Sequence, residues 1–131
     1  MSYDISLKDP VTHETLELSE PHMMRGGMCA VGGTAELWLN ITYNYARYYY
    51  SVFEDDGIRH IYGMSGADSI PVLEAMIKQI EAANKDANGE WLGTEGDTSD
   101  YWTATAANAI SPLYKLIAMA KMRPDGIWDG D

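Results

Sequence analysis

The chain has 131 residues, 46% of them apolar and 22% charged, so it fits a single domain spanning 1–131 with a core of its own. Its formal charge of −11 repels phosphate backbones and anionic lipid, which argues against direct nucleic-acid binding. No apolar run approaches a membrane span, the start Met1-Ser2-Tyr3-Asp4 has no signal-peptide pattern, and Cys29 is the single cysteine, so a reducing cytoplasm is expected.

In chain order, Tyr3, Ile5 and Leu7 alternate with polar residues and predict a half-buried strand over 2–8. Asp9-Pro10 breaks it, and renewed alternation over 15–19 predicts a hairpin partner. Gly26-Gly27 and Gly32-Gly33 flank the short apolar Met28-Cys29-Ala30-Val31, which with the alternating run 35–41 predicts a second hairpin.

Thr42 is a suitable cap for a helix from Tyr43 to Asp56-Gly57, with Gly57 in the left-handed position beyond its end. Five of the nine tyrosines fall within 43–50, at positions 43, 45, 48, 49 and 50. Helical spacing assigns Tyr45, Tyr49 and Phe53 to the core.

A second helix is expected from a cap at Asp68 or Ser69, with Pro71 in its first turn and Val72, Leu73, Met76, Ile77 and Ile80 as the buried stripe. Residues 84–100 are acidic and glycine-rich, interrupted by Trp91 and Leu92, and read as an unusually long surface loop. A last helix starts at Thr103 or Thr105 and ends before Pro124; Pro112 either kinks it or leaves Ser111 to cap a separate helix. The tail 125–131 is expected to be pinned by Trp128. Strands followed by helices define an α+β protein: a small N-terminal antiparallel sheet of two hairpins packed on three to four helices.

Catalytic motifs are absent. There is no P-loop, G-x-G-x-x-G, H-E-x-x-H, C-x-x-C or G-x-S-x-G pattern. His13, His22 and His60 lack zinc spacing, and neither 97–100 nor the 125–131 tail fits a calcium loop, so no metal, cofactor or catalytic residue is assigned. A hydrolase using Cys29 with His22 or His60 as base ranks last. What stands out is a binding patch of Gly32, Gly33, Thr34, Asn40, Tyr43, Asn44, Arg47 and Tyr48. It combines backbone donors, amides, an arginine and tyrosines that offer contact area with a polar tip. An acidic surface that mimics nucleic acid is the alternative reading.

Several stretches carry a resemblance: Met1-Ser2-Tyr3-Asp4-Ile5, the run from Leu39 to Tyr45, the run from Ile61 to Leu73, and Lys121-Met122-Arg123-Pro124-Asp125-Gly126. Across nearly the whole chain except 84–100, the sequence resembles small bacteriophage- and prophage-encoded proteins of unknown function. The resemblance implies phage origin and a place in the host cytoplasm. The expected role is an accessory protein acting by binding, with counter-defence as one form of it, whether by sequestering a host small molecule or by blocking a host protein. Self-association into a homo-oligomer stays open.

Overall fold

A computed structural model describes residues 1–22 and 34–131. The α+β class holds. The strand β1 (Ser2–Lys8) is central in a three-stranded antiparallel sheet, between β4 (Trp38–Thr42) and the C-terminal β5 (Ile127–Gly130). A second, two-stranded sheet pairs β2 (Glu17–His22) with β3 (Thr34–Glu36).

The register follows the apolar alternation. Tyr3 stands opposite Ile41, Ile5 opposite Leu39, and Leu7 opposite Trp128, and all six side chains are buried. One face of the sheet is therefore apolar and must be covered by helices. The expected pairing of 2–8 with 15–19 is confined to the end of β1, a bridge between Lys8 and Thr15 flanked by backbone bonds from Asp9 to Glu14 and from Leu16 to Leu7, because β4 and β5 take the two edges of β1. Backbone bonds from Leu7 to Leu37, Leu16 to Leu7 and Leu37 to Leu16 join the two sheets there. The expected strand at Met28–Val31 lies outside the described residues.

The tyrosine segment is less helical than its spacing predicts. Thr42 does cap it, its hydroxyl accepting from the Asn44 amide at 3.2 Å. A 3₁₀ turn over Tyr43–Tyr45 follows, then a short helix α1 (Ala46–Tyr50). Tyrosine has middling helix propensity, and a five-residue helix cannot hold itself without tertiary contacts. Here those contacts decide: the ring of Tyr49 is fully buried and its hydroxyl donates to the Ala109 carbonyl at 2.8 Å. Gly57 has the expected positive φ, +55°, at the start of a 3₁₀ turn spanning Gly57–Ile61.

Helix α2 (Gly66–Asn84) begins earlier than the sequence suggests, with Ser65 as its cap. Pro71 therefore lies inside the helix rather than in its first turn. The free amides of that first turn explain the shift: Gly66 donates to Gly126 O and Ala67 to Pro124 O, so the C-terminal segment satisfies them. Leu73, Met76, Ile77 and Ile80 are buried as expected, and Val72 packs partly against the core.

Helix α3 (Ala106–Met122) is capped by Thr105 and runs continuously through the buried Pro112, so no separate helix starts at Ser111. It packs along α2, with Gly66 at the start of α2 against Ala120 and Arg123 near the end of α3. The tail is pinned by Trp128, and it is a sheet strand: the Trp128 indole is 1% exposed, and its N–H donates to Ser69 Oγ at 2.7 Å.

Candidate interaction surface

The 3₁₀ turn at Tyr43–Tyr45 and α1 form a platform, and the segment between α2 and α3 lies across it. Asn44 Nδ2 donates to the carbonyl of Trp102 at 2.7 Å, and the Tyr45 hydroxyl donates to the carbonyl of Tyr101. Arg47 donates to the carbonyl of Ala104 at 3.1 Å. Tyr48, buried at its ring, places its hydroxyl 2.7 and 2.8 Å from the two carboxylate oxygens of Glu95 and 3.0 Å from Ala104 O. Arg47 also sits 3.6 Å from Glu95, whose side chain is only 18% exposed.

Helix α3 holds the other side of the segment. Asn108 Nδ2 donates to Asp100 O and Thr103 O at 2.8 and 3.0 Å, Thr105 Oγ1 to Asp97 O at 2.8 Å, and the Ala107 amide to Glu95 O at 2.9 Å. Farther back, Lys85 stacks its ammonium over Trp91, which packs so closely on Gly96 that a Cβ there would stand 2.6 Å from the indole. The long loop is thus a built element, held through its carbonyls. Where the loop is anchored through the carbonyls of 101 and 102, the side chains turn outward: Tyr101 and Trp102 are 38% and 53% exposed and touch edge to face, with ring centroids 5.2 Å apart.

Of the eight residues expected to form a binding patch, Asn44, Arg47 and Tyr48 come together under this loop and hold it. Asn40 and Tyr43 face elsewhere. The Asn40 amide donates to Ser2 Oγ and Asp4 Oδ1 at 2.6 and 2.8 Å, across the β1–β4 pair. Tyr43 packs edge-on against Tyr3 and receives a long 3.4 Å contact from Arg59, which also lies over the Tyr3 ring. Thr34 opens β3, opposite His22; Gly32 and Gly33 lie outside the described residues.

Apart from the Arg47 guanidinium, the side-chain donors of the platform are neutral. Burial raises Tyr45 and Tyr48 to about 12, the neighbouring Glu95 adding to the effect at Tyr48, and burial likewise holds Tyr49 well above its ordinary value. These hydroxyls stay protonated near neutral pH and serve as hydrogen-bond donors, not as nucleophiles. Cys29 lies outside the described residues. His60 stacks flat on Phe53 at 3.9 Å and bonds Asp56 at 3.1 Å. Among the described residues no group of three His, Cys, Asp or Glu side chains could hold a metal ion, and no helix is long and apolar enough to cross a membrane.

Sequence reasoning missed Glu95, Tyr101 and Trp102. The available signal was two adjacent aromatics at the end of an acidic segment, in no helical or strand period and hence not committed to a core. No family model, curated protein or solved structure matches the chain, so the α+β fold and this surface stand on their own geometry.

Proposed function

We propose that this is a small accessory protein of phage type that acts by binding, without catalysis, in the host cytoplasm, and that it blocks a host protein as a counter-defence measure. One observation carries the reading: Tyr101 and Trp102 are exposed on a loop that Asn44, Tyr45, Arg47 and Tyr48 already hold in place. Exposed aromatics on an ordered loop bind with little further loss of entropy, and Tyr and Trp dominate the energetics of protein interfaces. A protruding ring pair suits a pocket on a macromolecule better than it suits enclosing a small ligand. Glu90, Asp97 and Asp100 in the same loop add negative charge, which fits a target with a basic rim.

The test is affinity capture from host extract with the wild type and Trp102→Ala in parallel. A host protein retained by the wild type and lost with the variant supports the reading. No retained protein, or equal retention by both, counts against it.

The second reading is mimicry of nucleic acid. Asp9, Glu14, Glu17 and Glu36 line one shallow depression beside the small sheet, an arrangement suited to a cationic partner. Here binding would fall steeply with added salt and would survive Trp102→Ala, so the same capture at graded salt separates the two.

A further inference from the structure

The inner side of helix α3 is apolar, and its outer face mixes Tyr114 and Met122 with Ser111, Lys115 and Lys121. Its inner faces are buried, yet Tyr114, Ala118 and Met122 recur every four residues and so share one outer stripe, with Tyr114 54% and Met122 42% exposed. Beside that stripe α2 and α3 leave an open groove of about 410 Å³. Ile77 and Ile117 form its floor, and Glu74, Lys78 and Lys121 stand on its rim. Among the described residues none of these three charges is in an ion pair within the chain. Exposed large apolar side chains beside an open apolar-floored groove mark a contact surface.

We propose that a second copy of this chain covers the groove, in a two-fold dimer that lays each α2 over the partner's α3. Charge selects this occupant. Two copies carrying −11 each repel over most of their surface, so self-association needs a locally neutral face. The groove supplies one, since Glu74 and Glu81 are balanced by Lys78 and Lys121 around its lining. It is also self-complementary: the α2 lining carries Glu74, Lys78 and Glu81 and the α3 lining carries Lys121, so a two-fold axis along the groove lays a net acidic helix face over the partner's lysine-bearing one. Tyr114 supplies a central apolar anchor with a polar tip. This surface is independent of whatever the loop at Tyr101 and Trp102 binds.

Sedimentation equilibrium of the intact chain over a range of micromolar concentrations tests it. The expected result is a reversible species of twice 14.6 kDa, with dissociation at least tenfold easier in Tyr114→Glu and weakened in Lys121→Glu. Both positions are exposed, so unchanged circular dichroism and melting temperature will show the fold intact. A monomer at every concentration, which would leave the groove to a different protein, overturns the proposal. So does a dimer that Tyr114→Glu leaves intact.

Discussion

The hydroxyl of Tyr48 meets both carboxylate oxygens of Glu95, 2.7 and 2.8 Å away, across 47 residues of sequence. It ties a long acidic loop to a platform formed by a turn and one short helix. Tyr48→Phe keeps the buried ring and removes only the hydroxyl. It leaves a mostly buried carboxylate with Arg47 as its remaining side-chain partner at 3.6 Å. Hydrogen bonds to charged groups contribute about 1.5–3 kcal/mol, so a stability loss in that range is expected. Hydrogen exchange should rise over 95–105 more than in the sheet. Unchanged loop protection would show that this contact does not hold the loop.

Alkaline pH should unfold the protein through its tyrosines. Tyr45 and Tyr48 are raised from 10.0 to about 12, chiefly by burial. Folding thus holds them protonated, so their contribution is complete below pH 10 and is lost as pH rises toward 12. Tyrosinate absorbance should titrate in two phases, with the later phase coinciding with loss of circular dichroism. Tyr45→Phe with Tyr48→Phe should reduce the late phase. A single ordinary titration would contradict the burial of these rings.

Trp128 and Ser69 form a buried polar pair between the C-terminal strand and α2, joined at 2.7 Å. Ser69→Ala removes the acceptor and leaves the indole N–H unpaired, at a cost of about 1–3 kcal/mol. Trp128→Ala also removes a large core side chain and should cost about 3–5 kcal/mol. In denaturant unfolding the double variant should lose less than the sum of the two. Additive losses would mean the pair is not coupled.

Gly66→Ala should destabilise, although alanine ordinarily favours a helix by about 1 kcal/mol. A Cβ at Gly66 would stand 2.8 Å from the Arg123 carbonyl oxygen and 3.2 Å from Pro124 Cα, both backbone atoms that cannot swing aside. A loss of about 1–3 kcal/mol in a thermal or denaturant melt is expected, as for overpacking in a core. A neutral or higher melting temperature would show that the C-terminal segment can yield.

Much of the fold was legible because local physics sets it. The alternation of Tyr3, Ile5 and Leu7, the stripe Leu73, Met76, Ile77 and Ile80, and the caps at Thr42 and Thr105 each depend on residues a few positions apart. The positive φ of Gly57 was readable for the same reason, and Trp128 was readable as an anchor only because a large apolar ring in a polar tail must be buried somewhere. These features determine the α+β class and most of the core.

What only the tertiary structure decided involves partners distant in sequence. Strand β1 took β4 along the edge where 15–19 was expected and the C-terminal segment along the other, where Trp128 opposite Leu7 completes the apolar face. Helix α2 started at Gly66 because Gly126 and Pro124 accept its first amides. The tyrosine-rich segment became a platform because Tyr45, Tyr48 and Tyr49 spend their hydroxyls on carbonyls and a carboxylate 47 to 60 residues away. Spacing along a chain reports which side chains share a face. It cannot report which distant backbone will arrive there, so Asn44, Arg47 and Tyr48 were legible as a patch, but not as the seat of the loop that carries Tyr101 and Trp102.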